Sequence, residues 1–176
     1  MTLALPSFVE KYSKAIPNAG DHSTDVVSLA GRIHNIRVAG TKLRFYDLVS
    51  EGQRCQVMAT ASESESPADF EALHDIFRRG DIVGVTGKPM RTKKGELSVS
   101  PSTFVLLSPN LHQLPHGLKD QETRHRKRYL DLIVNQDRRE VFVKRARIVN
   151  YIRRFLDNLG FLEVRSASYL IYSPYP

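Results

Sequence analysis

Six histidines, at 22, 34, 74, 112, 116 and 125, are the natural candidates for proton transfer or metal ligation, yet none stands in an HExxH or comparable ligand spacing. His112 and His116 are four apart but flank Pro115, which argues against one helical face. Glycines 80, 84 and 87 do not form a GxGxxG run, and TKKG at 92–95 lacks the wider glycine framework of a phosphate loop. Glu63 and Glu65 lie in a polar SESES stretch with no buried neighbour to tune a carboxyl for acid–base work. The single cysteine, Cys55, excludes an intrachain disulfide and a multi-cysteine zinc site, and fits a reducing compartment. No active site emerges. What remains is recognition chemistry: Phe45 and Gln56 in β-type runs, and Arg124, Arg126, Lys127 and Arg128 in one basic cluster. Such residues can stack on a base, hydrogen-bond its edge and neutralise phosphate.

The charge agrees. Lys and Arg number 26 against 19 Asp and Glu, a net of +7, which points to a polyanionic partner, nucleic acid before anionic membrane. The excess is uneven: 13 basic and 12 acidic residues lie up to Ser108, and 13 and 7 beyond it. Pro109, Pro115 and Gly117 mark a linker where the composition changes. No apolar run approaches the ~20 residues of a membrane helix, and the N-terminus lacks the charged start and long apolar core of a signal peptide. The expected setting is the cytoplasm, with no membrane partner.

The elements that must position these residues fall into two modules. Val27, Leu29 and Ile33 occupy odd positions, then Ile36 and Val38 even ones, so the first strand is expected to change phase at a bulge near His34–Asn35. Further strands are expected at 42–48 and 54–60. A helix is expected from Pro67 through Phe70, Leu73, Ile76 and Phe77, stopping at Gly80. A fourth strand over 81–86, a TKKG hairpin turn and a fifth strand over 96–107 complete the module. The fold expected is mainly β with α: a five-stranded OB-fold barrel in the order β-β-β-α-β-β, followed by a hinge and a long helix. OB-folds commonly bind single strands across the second and third strands. Pattern alone leaves Phe45 either facing outward with Asp47 or in the barrel core, and gives Gln56 a solvated place opposite Cys55 and Val57.

Beyond the linker, ETRHRKRYLDLI at 122–133 reads as a basic helix, either gripping phosphate, serving as a nuclear address or simply solvated and docked by Tyr129 and Leu130. A second helix is expected over 137–159, capped by Asp137, with Phe142, Val149, Ile152, Phe155, Leu156 and Leu159 as an apolar stripe. A helix so apolar along one side must bury it against another domain or subunit. The organisation expected is an N-terminal segment over 1–24, the OB-fold over 25–108, a linker and hinge over 109–136, and the start of a further domain over 137–176.

Several segments together resemble the anticodon-binding domain of class II lysyl-tRNA synthetases: GRIHNIR (31–37), KLRFYDL (42–48), QVMA (56–59), RRGDIVGVTG (78–87), TKKGELS (92–98) and LLSPNLHQLPH (106–116). GLKDQETRHRKRYLDLI (117–133) resembles the family's hinge, and FLDNLGFLEV (155–164) the end of motif 1, an interface helix and the strand after it. The resemblance implies that Phe45 stacks on the middle anticodon base, that Gln56 and Glu96 read it, and that Arg32 lies near the anticodon. Lys42, Lys93, Lys94, Arg124 and Arg126 would meet the RNA backbone. The implied partner is the tRNA(Lys) anticodon loop, with this chain or a full-length synthetase pairing through 137–159.

Departures from the family pattern qualify the activity. His116 runs directly into Gly117, a shorter hinge than usual, and Arg165, Ser166 and Ala167 stand where the motif 1 proline is expected. The family activates lysine with ATP and Mg²⁺ and transfers it to tRNA, using motifs 2 and 3, which find no match here. The isolated chain is therefore expected to bind RNA without aminoacylating it; lysine-dependent ATP–pyrophosphate exchange by the purified chain is the result that contradicts this. The alternatives are a general single-strand-binding OB protein without tRNA preference, and a regulatory decoy of the full-length enzyme.

Overall fold

A computed structural model describes residues 3–64 and 67–164, which divide into two units meeting between Pro115 and His116. The first unit begins with helix α1 (Leu5–Ala15), which has a proline in its first turn and buries Leu5, Phe8 and Tyr12 along one face. These residues and Ile16 join the barrel's own core. The segment set apart as 1–24 thus contributes to the same hydrophobic core. Its Leu5, Phe8, Tyr12 spacing of three and four was the available signal.

The barrel strands are β1 (Val27–Val38), β2 (Leu43–Ser50), β3 (Gln53–Thr60), β4 (Ile82–Arg91) and β5 (Leu97–Ser108), closed in the order β1-β2-β3-β5-β4. Every pairing is antiparallel except β3 with β5, which run parallel. The register of β1 against β2 shifts between Ile33 and Asn35, at the expected phase change. Leu29, Ile33, Tyr46, Leu48, Val57, Val83, Val85 and Val99 fill the interior. The expected β-barrel topology is therefore present.

Helix α2 (Phe70–Asp75) is shorter than expected: Pro67 precedes it, and Ile76 is exposed. Asp81 does not open the fourth strand. Its buried carboxylate accepts from the backbone N–H of Arg78 and of Asn110, both at 2.7 Å, which ties the turn after Phe77 to the end of β5. The fourth strand runs past Thr86 to Arg91. There the Arg91 guanidinium donates to the carbonyls of Ile16 (2.6 Å), Ser13 (3.2 Å) and Gly95 (2.8 Å). One side chain thus ties the β4–β5 hairpin to the C-terminal end of α1, where unpaired carbonyls collect.

His74 of α2 is enclosed by Tyr46, Phe70, Phe77 and Phe104, with its Nδ1 2.8 Å from the Tyr46 hydroxyl. Burial, reinforced by the Arg44 guanidinium against the opposing Asp75 carboxylate, pushes its pKa down to about 4. Below pH ~6.5 the unfolded chain takes up a proton that the folded ring refuses until about pH 4. Stability is accordingly expected to fall across that window, by roughly 3 kcal/mol at its acid end. Thermal melts at pH 7 and pH 4.5 should show this drop, and His74→Phe should reduce it. An equal pH dependence in the variant excludes His74 as the cause.

The second unit comprises α3 (Gln121–Arg126), α4 (Arg128–Val134) and α5 (Gln136–Asn158). The single helix expected over 122–133 breaks at Lys127, whose φ of −112° and ψ of 57° leave the helical region. A side-chain cap from Asp120 to the Thr123 N–H starts α3, and the fully buried Asp131 organises the junctions of α4 with its two neighbours. Its carboxylate accepts from Asn135 Nδ2 (2.7 Å), Arg124 Nε (3.0 Å) and Arg128 Nη1 (3.3 Å). The Asn135 amide, followed by these guanidinium groups, holds the Asp131 carboxyl below the usual carboxylate range.

Asn135, not Asp137, occupies the N-cap of α5. Its side chain forms no cap to α5; instead its Nδ2 donates to Asp131 and to the Leu118 carbonyl. Asp137 falls in the first turn instead, where its charge suits the helix dipole. Residues 161–164 form no strand, contrary to the resemblance; Arg165–Ala167 and the tail after them lie outside the described residues.

Candidate nucleic-acid interface

The alternation of β2 sends Tyr46 and Leu48 into the core, leaving Phe45 and Asp47 on the outer face. Register then assembles two rows across the strands. Arg37, Phe45 and Met58 lie opposite one another on β1, β2 and β3. The next row contains Asn35, Asp47, Gln56 and Ser98, reaching β5. Phe45 and Gln56 are diagonal neighbours, about 7–8 Å apart by sheet geometry. The open alternative for Phe45 is resolved outward: it is partly exposed, and the Arg37 guanidinium lies 5.6 Å from its ring centroid.

Gln56 is not solvated, as the alternation suggested, but 4% exposed. Its Nε2 donates to Glu96 Oε2 at 2.8 Å, and its Oε1 accepts from the Ser98 hydroxyl at 3.0 Å. The reason is the strand pairing of β3 with β5, which meets Gln56 with Ser98 and covers what a two-strand reading leaves open. Beside it, the side chain of buried Asp47 meets Arg54 Nη2 at 2.9 Å and Arg37 Nη2 at 3.5 Å. Ser98, Asp47, Arg37 and Arg54 join this cluster without any sequence motif to mark them. Only the alternation of β2 could have flagged Asp47; the others depend on cross-strand register. Burial pushes the neighbouring Cys55 thiol to about 12, helped by the Glu96 charge, so it is no nucleophile at neutral pH.

The remaining site candidates divide. Lys93 and Lys94 are exposed on the hairpin immediately before Glu96, held by Thr92, whose Oγ1 accepts from the Glu96 N–H. Lys42 is exposed at the start of β2. Arg32 stands apart: it lies opposite Val49, while its guanidinium donates to the Gly80 carbonyl at 2.7 Å. In the second unit, Arg126 pairs with Glu122, and Arg124 is turned to Asp131. Among the described residues no group of three His, Cys, Asp or Glu side chains converges as a cation site. No described helix is long and apolar enough to cross a membrane.

An aromatic side chain thus lies beside an amide–carboxylate pair on the outer face of an OB barrel, and family comparison is specific about its setting. Residues 27–107 match the OB-fold nucleic acid binding domain family, and residues 120–167 match the class II tRNA synthetases of the D, K and N type. The second match runs past Arg165, beyond the expected end of the resemblance. Lysine–tRNA ligase cla4 of Cladosporium cladosporioides is 48% identical over 156 residues, 84% of this chain and 26% of that protein. Lysine–tRNA ligase 2 of Methanosarcina mazei is 49% identical over 140 residues, 78% of this chain and 27% of its own. The lysine–tRNA ligase of Rhizobium meliloti is 39% identical over 168 residues, 94% and 32% respectively. The chain belongs to the lysyl-tRNA synthetase family. It spans about a quarter to a third of the length of these relatives.

Proposed function

We propose that this chain reads the anticodon loop of tRNA(Lys) through the outer face of its barrel. The observation that carries the reading is the convergence of Phe45, Gln56 and Glu96 on neighbouring strands. Phe45 supplies a stacking surface, and the Gln56–Glu96 pair offers a donor and an acceptor to the edge of an unstacked uracil. Lys42, Lys93 and Lys94 supply charge for phosphates; Arg124 and Arg126 are backbone contacts in the same reading, freed from their carboxylate partners on binding. Arg32 acts near the anticodon only if it leaves the Gly80 carbonyl. The parent activity is ligation of lysine to tRNA with ATP and Mg²⁺, in the cytoplasm, a compartment also named for a relative from Encephalitozoon cuniculi.

The test is binding of anticodon stem-loops carrying UUU or a scrambled triplet. Tighter binding of UUU supports the reading, and equal binding favours a general single-strand-binding protein. Affinity should fall by about 0.7 log units per phosphate contact per decade of salt. Self-association through α5 belongs to the same proposal. Ile148, Tyr151, Ile152, Phe155 and Leu159 are exposed along the helix, a stripe larger than an isolated helix keeps in water. Sedimentation should show a concentration-dependent dimer that Phe155→Asp disperses; a monomer throughout rejects it.

A further inference from the structure

An amide side chain can read a base only if it cannot turn over. Carbonyl and NH₂ are nearly the same size, and a flipped Gln56 exchanges a donor for an acceptor without any change in shape. Two groups oppose the flip. The exposed Glu96 carboxylate is acceptor-only when ionised, so it requires Nε2 on its side, where it is found at 2.8 Å. The fully buried Ser98 hydroxyl donates to Oε1 at 3.0 Å; a flipped amide would make it an acceptor and leave its proton only the Glu96 carbonyl, more distant at 3.3 Å. Ser98 is carried by β5, and Gln56 by β3, at the parallel seam where Gln56 stands opposite Ser98 and Val57 opposite Val99. The closure of the barrel is therefore what brings the hydroxyl to the amide.

We infer that Ser98 is a positioning residue for base choice, its hydroxyl fixing the orientation in which the Gln56 amide meets the base. The inference rests on the proposed reading of the anticodon. With Oε1 held by Ser98 and one N–H held by Glu96, Gln56 keeps one N–H and one Oε1 lone pair uncommitted. That N–H suits a uracil carbonyl, while the Glu96 carboxylate suits the uracil N3–H. Cytosine presents an exocyclic NH₂ donor in place of the uracil O4, so the fixed Gln56 N–H is set donor against donor, a clash that a flipped Gln56 would relieve. Without the Ser98 hydroxyl, the Glu96 carboxylate alone opposes the flip, and this discrimination weakens.

The experiment compares stem-loops with UUU and UCU anticodons for the full chain, Ser98→Ala and Ser98→Thr, with thermal melts on each protein. The wild-type chain should prefer UUU. Ser98→Ala should reduce the UUU-to-UCU affinity ratio by about five- to tenfold, the effect of one hydrogen bond, mainly through tighter UCU binding. Ser98→Thr, which restores a hydroxyl, should keep a ratio closer to wild type. A purely structural defect lowers both affinities together and leaves the ratio unchanged, and that result overturns the inference while the anticodon reading stands. A wild-type chain without preference for UUU over both UCU and scrambled loops overturns the reading itself, and the inference with it.

Discussion

Replacing Phe45 with alanine is expected to weaken binding of a UUU stem-loop by roughly 5- to 150-fold, because stacking one base on an aromatic ring contributes about 1–3 kcal/mol. The ring is well placed for this. It is partly exposed on β2, and its neighbours Tyr46 and Asp47 are both buried. The Arg37 guanidinium lies 5.6 Å from its centroid, in reach of a cation–π contact. Since Phe45 contributes little to the core, the variant should melt close to wild type, and loss of affinity without loss of fold is the expected pattern. Phe45→Tyr keeps the π-face and should retain most of the affinity. The stacking role is rejected by an alanine variant that binds UUU as tightly as wild type does.

Gly87→Ala should have the largest effect on stability. At Gly87 the β4–β5 register shifts between Thr86 and Gly87, and β5 crosses so closely that an added Cβ would lie 2.0 Å from the Ser100 carbonyl oxygen and 2.7 Å from Pro101 Cα. Both obstacles are backbone, so no rotamer change relieves the clash. β1 pairs on the other side, Val27 opposite Gly87, which confines the strand further. A loss on the order of 3 kcal/mol or more is expected, in the range of severe overpacking, read as an earlier urea midpoint. Gly84→Ala, in the same strand, provides the contrast, because its Cβ would meet only Leu107 side-chain carbons at 3.5–3.6 Å. Equal midpoints for Gly87→Ala and wild type exclude this close approach as a constraint.

The elements most legible in the sequence were those governed by local periodicity. The phase change in β1 was visible because one extra residue moves every later side chain to the other face. Helix α5 was visible because its stripe repeats over many turns. Boundaries set by a single tertiary contact were not visible. Asp81 looked like the start of a strand, but its carboxylate is used by Arg78 and Asn110. The basic run at 122–133 looked like one helix, but burial of Asp131 draws Arg124, Arg128 and Asn135 around one carboxylate, and the chain turns at Lys127 between them.

The candidate site divides along the same line. The side-chain order of the chain by itself placed Phe45, Gln56 and Glu96 on β-type runs of a five-stranded barrel, and the segment similarities attached anticodon recognition to them. Alternation is a property of neighbouring residues and needs no partner strand to be read. Only the tertiary structure decided that Phe45 faces outward, that Gln56 is buried between Ser98 and Glu96, and that Arg32 is occupied elsewhere. Those outcomes depend on which strand lies beside which and in what register. The parallel closure of β3 on β5 joins residues about forty positions apart, a distance over which the local pattern carries no information. The excess of positive charge needed no fold to be seen, but which cations remain free for phosphate did. Arg124 and Arg126 have carboxylate partners, while Lys93 and Lys94 stand exposed beside Glu96.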